Sequence, residues 1–222
     1  MASKTLQQLR TLTLDRLRET ESDSHFTEDQ LNGYLNNGQE YIAAISAPPE
    51  DFVSVAIEAN IGSYPLPSDN LSISSAYYGT TSTHNDVSPL TIITKTQAKH
   101  MFPGWLDAHV DAAGEPKYLI LFDQSTVHVY PRPKADQAGK RILMFYGFVP
   151  SPMSADGDTP GIRSSYHSIL PFFACRLAYY ALSDPKMAAA MMTAFLQDYN
   201  AIKDNVDKEA EETFAFKWQV TE

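Results

Sequence analysis

The chain has 222 residues, 43% hydrophobic and 20% charged, enough apolar material for a sizeable core and too much for wholesale disorder. Its 17 Lys and Arg against 27 Asp and Glu leave a net charge of −10, which argues against gripping nucleic acid by its phosphates. A single cysteine, Cys175, excludes an internal disulfide framework or a cysteine-rich zinc site; its apolar helical setting predicts a buried, inert thiol.

The start, MASKTLQQLRTLTLD, lacks an apolar core of signal-peptide length, and no apolar run is long enough to span a bilayer. A soluble protein made in the cytoplasm is therefore expected, and the glycosylation-like NLS at Asn70 carries no weight. A first helix is predicted from about Lys4 to Glu19, with Leu6, Leu9, Leu14 and Leu17 along one stripe. After the polar break ETESDSH comes FTEDQL, the best local signal in the chain. Thr27 and Gln30 have the spacing of a capping box, and Phe26 and Leu31 flank them as a hydrophobic staple. The second helix then carries Leu31, Tyr34, Leu35, Ile42 and Ile45 inward until Pro48 and Pro49 stop it.

From Asp51 to Pro150 the period changes. FVSVAIEA alternates through Val53, Val55 and Ile57, and LSISSAY through Leu71, Ile73 and Tyr77. Proline-rich and polar turns cut the region into short pieces, with a short helix expected near Thr96 to Met101. KYLILF, TVHVYP and RILMFYGFV read as three successive antiparallel strands, the first two joined around Asp123–Ser125. The module should hold about five to seven strands.

Helix returns after DGDTPGIR. Ser164 or Ser165 can cap a segment carrying Tyr166, Ile169, Leu170, Phe173, Leu177 and Tyr180, with Pro171 in an early turn or at a kink. Asp184 and Pro185 start the last helix, whose inward stripe is Met187, Met191, Phe195, Ile202 and Val206. In TFAFKWQVTE, residues Phe214, Phe216, Trp218 and Val220 alternate with smaller or polar ones, which is strand periodicity. Such a tail either folds back on its own domain or adds a strand to another chain.

The fold class expected is α+β: a helical bundle built from N- and C-terminal helices, with an inserted antiparallel β module and an extended C-terminal tail. The organisation expected is one domain over 1–222: N-terminal helices over 1–48, a β-rich insertion over 51–150, C-terminal helices over 159–210 and the tail over 211–222.

Chemistry is hard to find in these residues. There is no Gly-rich phosphate loop, GxSxG elbow, HExxH or cysteine pair. Asp107, His109 and Asp111 alternate but read better as a hydrophilic loop than as metal ligands. Ser164 and His167 lie close together without an acidic partner for a triad; His25, His84, His100 and His128 read as isolated. No catalytic residue, metal or cofactor is expected. Arg132, Lys134, Lys140 and Arg141 form the one basic cluster; a local loop charge is the simpler reading and a phosphate-brushing loop the sharper one.

Nearly the whole chain resembles the head-to-tail connector (portal adaptor) proteins of tailed bacteriophages. The resemblance runs through FTEDQLNGYLNNGQEYI, YPLPSDNLSISSAYY, GEPKYLILFDQSTVHVYPRP, RILMFYGFVPSPMSADGDTPGI and YHSILPFFACRLAYYALSDP, and rests on their order and spacing. It implies a structural, non-enzymatic virion protein, located at the neck and made in the host cytoplasm. It also implies a homo-oligomeric ring of about twelve subunits under the portal, with distinct head and tail faces on each subunit. The portal protein and a downstream tail or tail-tube protein would be its partners. Genome DNA would pass through the channel without sequence-specific binding, and an acidic wall would help it pass. Phe214, Phe216, Trp218 and Val220 would reach the portal. Alternatives are a tail-tube or gatekeeper protein of the neck, a β-rich carbohydrate-binding module using Tyr77, Tyr78 and Trp105, and an enzyme with a dispersed site.

Overall fold

Three helices begin the same way, and the device is legible in the residues. Thr5 with Gln8, Thr27 with Gln30 and Thr94 with Gln97 each close a complete capping box. In each, the threonine hydroxyl accepts the third helical amide while the glutamine reaches back to the threonine amide, so two otherwise free donors are satisfied. Thr27→Ala is expected to cost about 1 kcal/mol, read as a lowered denaturation midpoint with an unchanged slope.

The structure, a computed structural model, describes residues 3–46, 48–80, 87–105 and 113–219, with 206–219 described by backbone alone. In chain order the elements are α1 (Leu6–Leu17), α2 (Glu28–Ile45), β1 (Glu50–Ala56), β2 (Ser63–Pro65), β3 (Asn70–Gly79), β4 (Val87–Pro89) and β5 (Thr91–Thr94). Then come α3 (Lys95–Met101), β6 (Ala113–Gly114), β7 (Tyr118–Leu121), β8 (Thr126–Tyr130), β9 (Arg132–Pro133), β10 (Arg141–Phe148), α4 (Leu170–Ala181) and α5 (Pro185–Gln219). The chain divides into a helical unit, 1–49 with 150–222, and a β unit, 50–149. The class is α+β, as the patterning implies.

In the helical unit, Leu6, Leu9, Leu35, Ile42, Leu170, Phe173 and Phe195 are buried in one cluster. Leu14, Leu17, Phe26, Leu31, Cys175 and Ala178 form a second, so the staple pair Phe26 and Leu31 do meet the core. Gly38 lets α2 approach α4 closely: a Cβ there would sit 3.1 Å from a Leu170 methyl. Cys175 is fully buried, and burial pushes its thiol pKa up to about 12, which makes it inert as expected.

Several stripe assignments shift. Ile45, Tyr180 and Met187 are exposed, not inward; α5 packs through Ala188, Phe195 and Tyr199, with Met191, Met192 and Ile202 beside them. Ala188 is fully buried, and Met187, one position round the helix from it, turns outward. Neither Ser164 nor Ser165 caps a helix: Ser164–Ile169 is a 3-10 turn preceded by Arg163, and Pro171 stands in the first turn of α4. Asp184 does cap α5, its carboxylate accepting the Met187 amide at 3.0 Å.

The extended tail is also corrected. Its backbone from residue 211 to Gln219 continues α5 as helix, and Val220 lies outside the described residues. The run DKEAEE ahead of it is helix-favouring, and extending an existing helix adds a hydrogen bond per residue without a new nucleus. In a helix, alternate residues no longer share a face, so the period-2 reading of Phe214, Phe216 and Trp218 fails there.

A long loop over 150–163 is bound tightly to the helical unit, which its polar composition does not suggest. Asn36 brackets Met153 by accepting its amide and donating to its carbonyl, at 2.8 and 3.0 Å. Buried Gln39 donates to the Ser151 carbonyl and accepts from the Gly161 amide. Arg10, 3% exposed, donates to Asp156 at 3.0 Å and to Asn32 at 3.4 Å, with Glu28 3.5 Å away. The Asp158 carboxylate accepts the Ala155 and Ser154 amides, which hold its pKa below the usual carboxylate range.

In the β unit one sheet runs β1-β10-β3-β4 and another β2-β8-β7-β5. β7 and β8 form the expected hairpin, its turn held by the Asp123 carboxylate accepting the Ser125 amide. β10 does not extend that hairpin, however; it lies between β1 and β3. The β5–β7 and β6–β9 pairs are parallel, so the module is mostly but not wholly antiparallel. Its core is built on Ile57, Tyr64, Ala76, Tyr78, Leu119, Val127, Val129, Ile142 and Met144.

Register explains one further correction. Phe145 pairs with Ser75 and Tyr146 with Ile73, so Ser74 is an extra residue and the strand bulges there. The bulge flips the phase: Ile73 faces the core before it, Ala76 and Tyr78 after it. The simple alternation through Leu71, Ile73 and Tyr77 therefore breaks, leaving Tyr77 on the opposite face; a second register shift makes Leu71 an extra residue too, 40% exposed.

Candidate interaction surfaces

Among the described residues the candidate chemical residues do not converge. Asp107, His109, Asp111 and His84 lie outside the described residues. Among the described residues no group of three or more His, Cys, Asp or Glu is placed to hold a metal ion. His128 is half-buried between Trp105 and Phe122, ring centroids 5.3 and 4.6 Å away. Burial lowers its pKa, Arg132 and Lys95 push the same way, and Asp123 opposes them. A neutral packing histidine results.

The carbohydrate reading keeps only Tyr77, which is half-buried, of its three residues. Trp105 is 7% and Tyr78 2% exposed, so neither offers a ring face to a sugar. The Tyr78 hydroxyl donates to the Gln137 side-chain carbonyl.

Of the basic cluster, Lys134 is exposed, but Lys140 and Arg141 have partners within the chain. Lys140 donates to Gln137 at 3.1 Å and lies 5.1 Å from the Tyr78 ring centre. Arg141 reaches across to β1, donating to the Ser54 hydroxyl and, at 3.0 Å, to its carbonyl. Arg132 sits in β9 against Gly62, where a Cβ would stand 3.3 Å from its side chain.

Arg141's position matters for the sheet edge. β1 is the outer strand of its sheet, and two of its backbone groups are already engaged. The Phe52 amide donates to the adjacent Asp51 carboxylate at 2.8 Å, and Arg141 occupies the Ser54 carbonyl. Blocking backbone groups and placing charge at an edge suppress pairing with another chain.

The opposite edge is different. β4 covers β3 only at Tyr77–Gly79, and after Leu90 donates to the Ala76 carbonyl the chain leaves to pair with β7 as β5. Among the described residues no strand covers Asn70–Ser75 on that side. A groove of about 460 Å³ opens there, with Leu66, Leu71, Ile73, Leu121 and Phe122 as its apolar lining and Asn70 and Asp123 as polar members. The Asn70 side-chain oxygen is buried without a hydrogen-bond partner. On the sheet's other face Phe145 lies 6.0 Å from both Phe52 and Tyr77, and Phe52 is 49% exposed. Patterning missed the groove, because it depends on where β5 departs; only the shortness of the run VSP hints at it.

Among the described residues the geometry thus offers open surface and no group placed to hold a metal ion. The model of the SU10 adaptor protein family matches residues 4–215. This chain belongs to the SU10 adaptor protein family. That agrees with the resemblance to phage head-to-tail adaptors. No curated protein matches the chain. Among solved structures the adaptor is similar to a chain of "Neck of empty GTA particle computed with C6 symmetry", at 12% identity and a TM-score of 0.28. That alignment covers 78% of the adaptor and 76% of the other chain.

Proposed function

We propose that this adaptor forms a ring beneath the portal, extends the DNA channel and provides the platform on which the next tail protein docks. The observation that carries the reading is the family match over residues 4–215. The contrast between the two sheet edges supports it: one has backbone groups already engaged, while on the other no described strand covers half of β3 beside an apolar groove. A head-to-tail ring needs two different faces per subunit. The net charge of −10 suits a wall that DNA slides past. The portal is the partner proposed for the C-terminal residues Phe214, Phe216, Trp218 and Val220, and a tail or tail-tube protein for the other side of the ring. Lys134 is the member of the basic loop left exposed for such a contact.

The test is the solution mass of the purified adaptor, alone and mixed with its phage's portal. A ring-sized complex with the portal is expected. Leu71→Asp alters an exposed side chain of the groove and should leave the fold intact while lowering ring formation about tenfold or more, the loss of one interface hot spot. A monomer indifferent to the portal would instead favour a tail-tube or gatekeeper protein.

A further inference from the structure

We propose that His167 is an acid-released latch fastening the segment ahead of α1 to the 150–162 loop. The ring is 2% exposed, and both its nitrogens are engaged. Nδ1 lies 3.1 Å from the Lys4 amide nitrogen and 3.4 Å from the Ser3 hydroxyl, and Nε2 lies 3.0 Å from the Ile162 carbonyl oxygen. A backbone amide only donates, so Nδ1 must present a lone pair to Lys4. Nε2 then carries the ring's one proton and donates it to Ile162. The geometry therefore selects the neutral ring with its proton on Nε2. Protonating Nδ1 would set N–H against N–H and remove the acceptor that holds Lys4.

The neighbouring bonds tie the latch to a larger piece. The Leu6 and Gln7 amides, free donors at the start of α1, donate to the Asp158 and Asp156 carbonyls at 2.7 and 3.2 Å. Segment, first turn and loop thus share one set of bonds that His167 closes. The charged group facing the ring is Lys4, from the N-terminal segment; the loop presents the Pro160 and Ile162 carbonyls. Among the described residues no carboxylate forms an ion pair with the ring. Burial lowers the ring's pKa and Lys4 pushes the same way, while the two carbonyls oppose. A histidine with a depressed folded pKa contributes fully above its unfolded pKa, and that contribution is lost as pH falls toward and through the folded value.

The experiment follows the full chain by NMR from pH 7.5 to 4.5, reading the imidazole nitrogens and the exchange of the Leu6 and Gln7 amides. A neutral ring protonated on Nε2 is expected at pH 7.5. Opening of the two amides, corrected for intrinsic exchange, should rise by up to about tenfold per pH unit in step with His167's titration. His25→Asn, at an exposed histidine paired with Glu19, should leave that rise unchanged. His167→Gln, which cannot titrate, should abolish it. A ring protonated on Nδ1 or charged at pH 7.5 would overturn the proposal. So would amide protection indifferent to His167's titration, which the unaltered protein alone can show.

Discussion

Replacing Phe195 with alanine is expected to lower the stability of the helical unit by about 3–5 kcal/mol. Phe195 is fully buried, and its ring lies 5.5 Å from Phe173, 5.9 Å from Tyr41 and 6.1 Å from Tyr199. Truncation removes apolar surface from the middle of this aromatic group and leaves a void that four surrounding helical segments cannot readily close. Against a typical total of about 5–15 kcal/mol the loss is large. A thermal melt should move down by roughly 6–20 °C. Leu196→Ala, at an exposed neighbour on the same helix, should change it little. Equal effects from the two substitutions would mean that α5 does not pack through the face described.

Deleting Thr213–Glu222 is expected to leave the fold intact and to weaken attachment to the portal. Within the described side chains, the packing of α5 ends at Ile202, and Lys203, Asp204 and Asn205 are exposed. The deletion therefore removes nothing known to belong to the core. It does remove Phe214, Phe216, Trp218 and Val220, residues that bury large apolar areas when they dock. Two hot-spot side chains at about 2 kcal/mol each would weaken binding on the order of a thousandfold. Measuring the melting temperature and portal affinity of the truncated protein separates the alternatives. A truncated protein that unfolds would assign the segment to its own core; one that binds the portal undiminished would remove these residues from the interface.

Local structure was the most legible part of this chain. The Thr27–Gln30 box could be read directly, because a cap is satisfied within four residues and needs no distant partner. The same spacing at Thr5 and Thr94 is equally present but lies beside weaker periodic signals. Most stripe positions were legible, and the error at Met187 arises because Ala188, one position on, takes the buried place. The bulge at Ser74 was not legible: an inserted residue changes phase only relative to the partner strand, and LSISSAY contains no mark of β10. The end of α5 was misread because strand and helix both accept FAFKW, and the choice is made by the helix already running into it.

The sequence by itself determined the starts of α2 and α5, the division into helical ends and a β middle, the buried thiol and the family. These follow from caps, periodicity, composition and order along the chain, all of them local or global properties that need no contact map. Only the tertiary structure decided that Arg141 guards β1, that no described strand covers half of β3 beside an apolar groove, and that His167 binds the N-terminal segment to a loop. Each of those joins residues far apart in the chain, and the groove exists because β5 leaves β3 for β7. Such pairings are chosen by the competition for core burial and backbone partners across the whole fold, which no single stretch of residues contains.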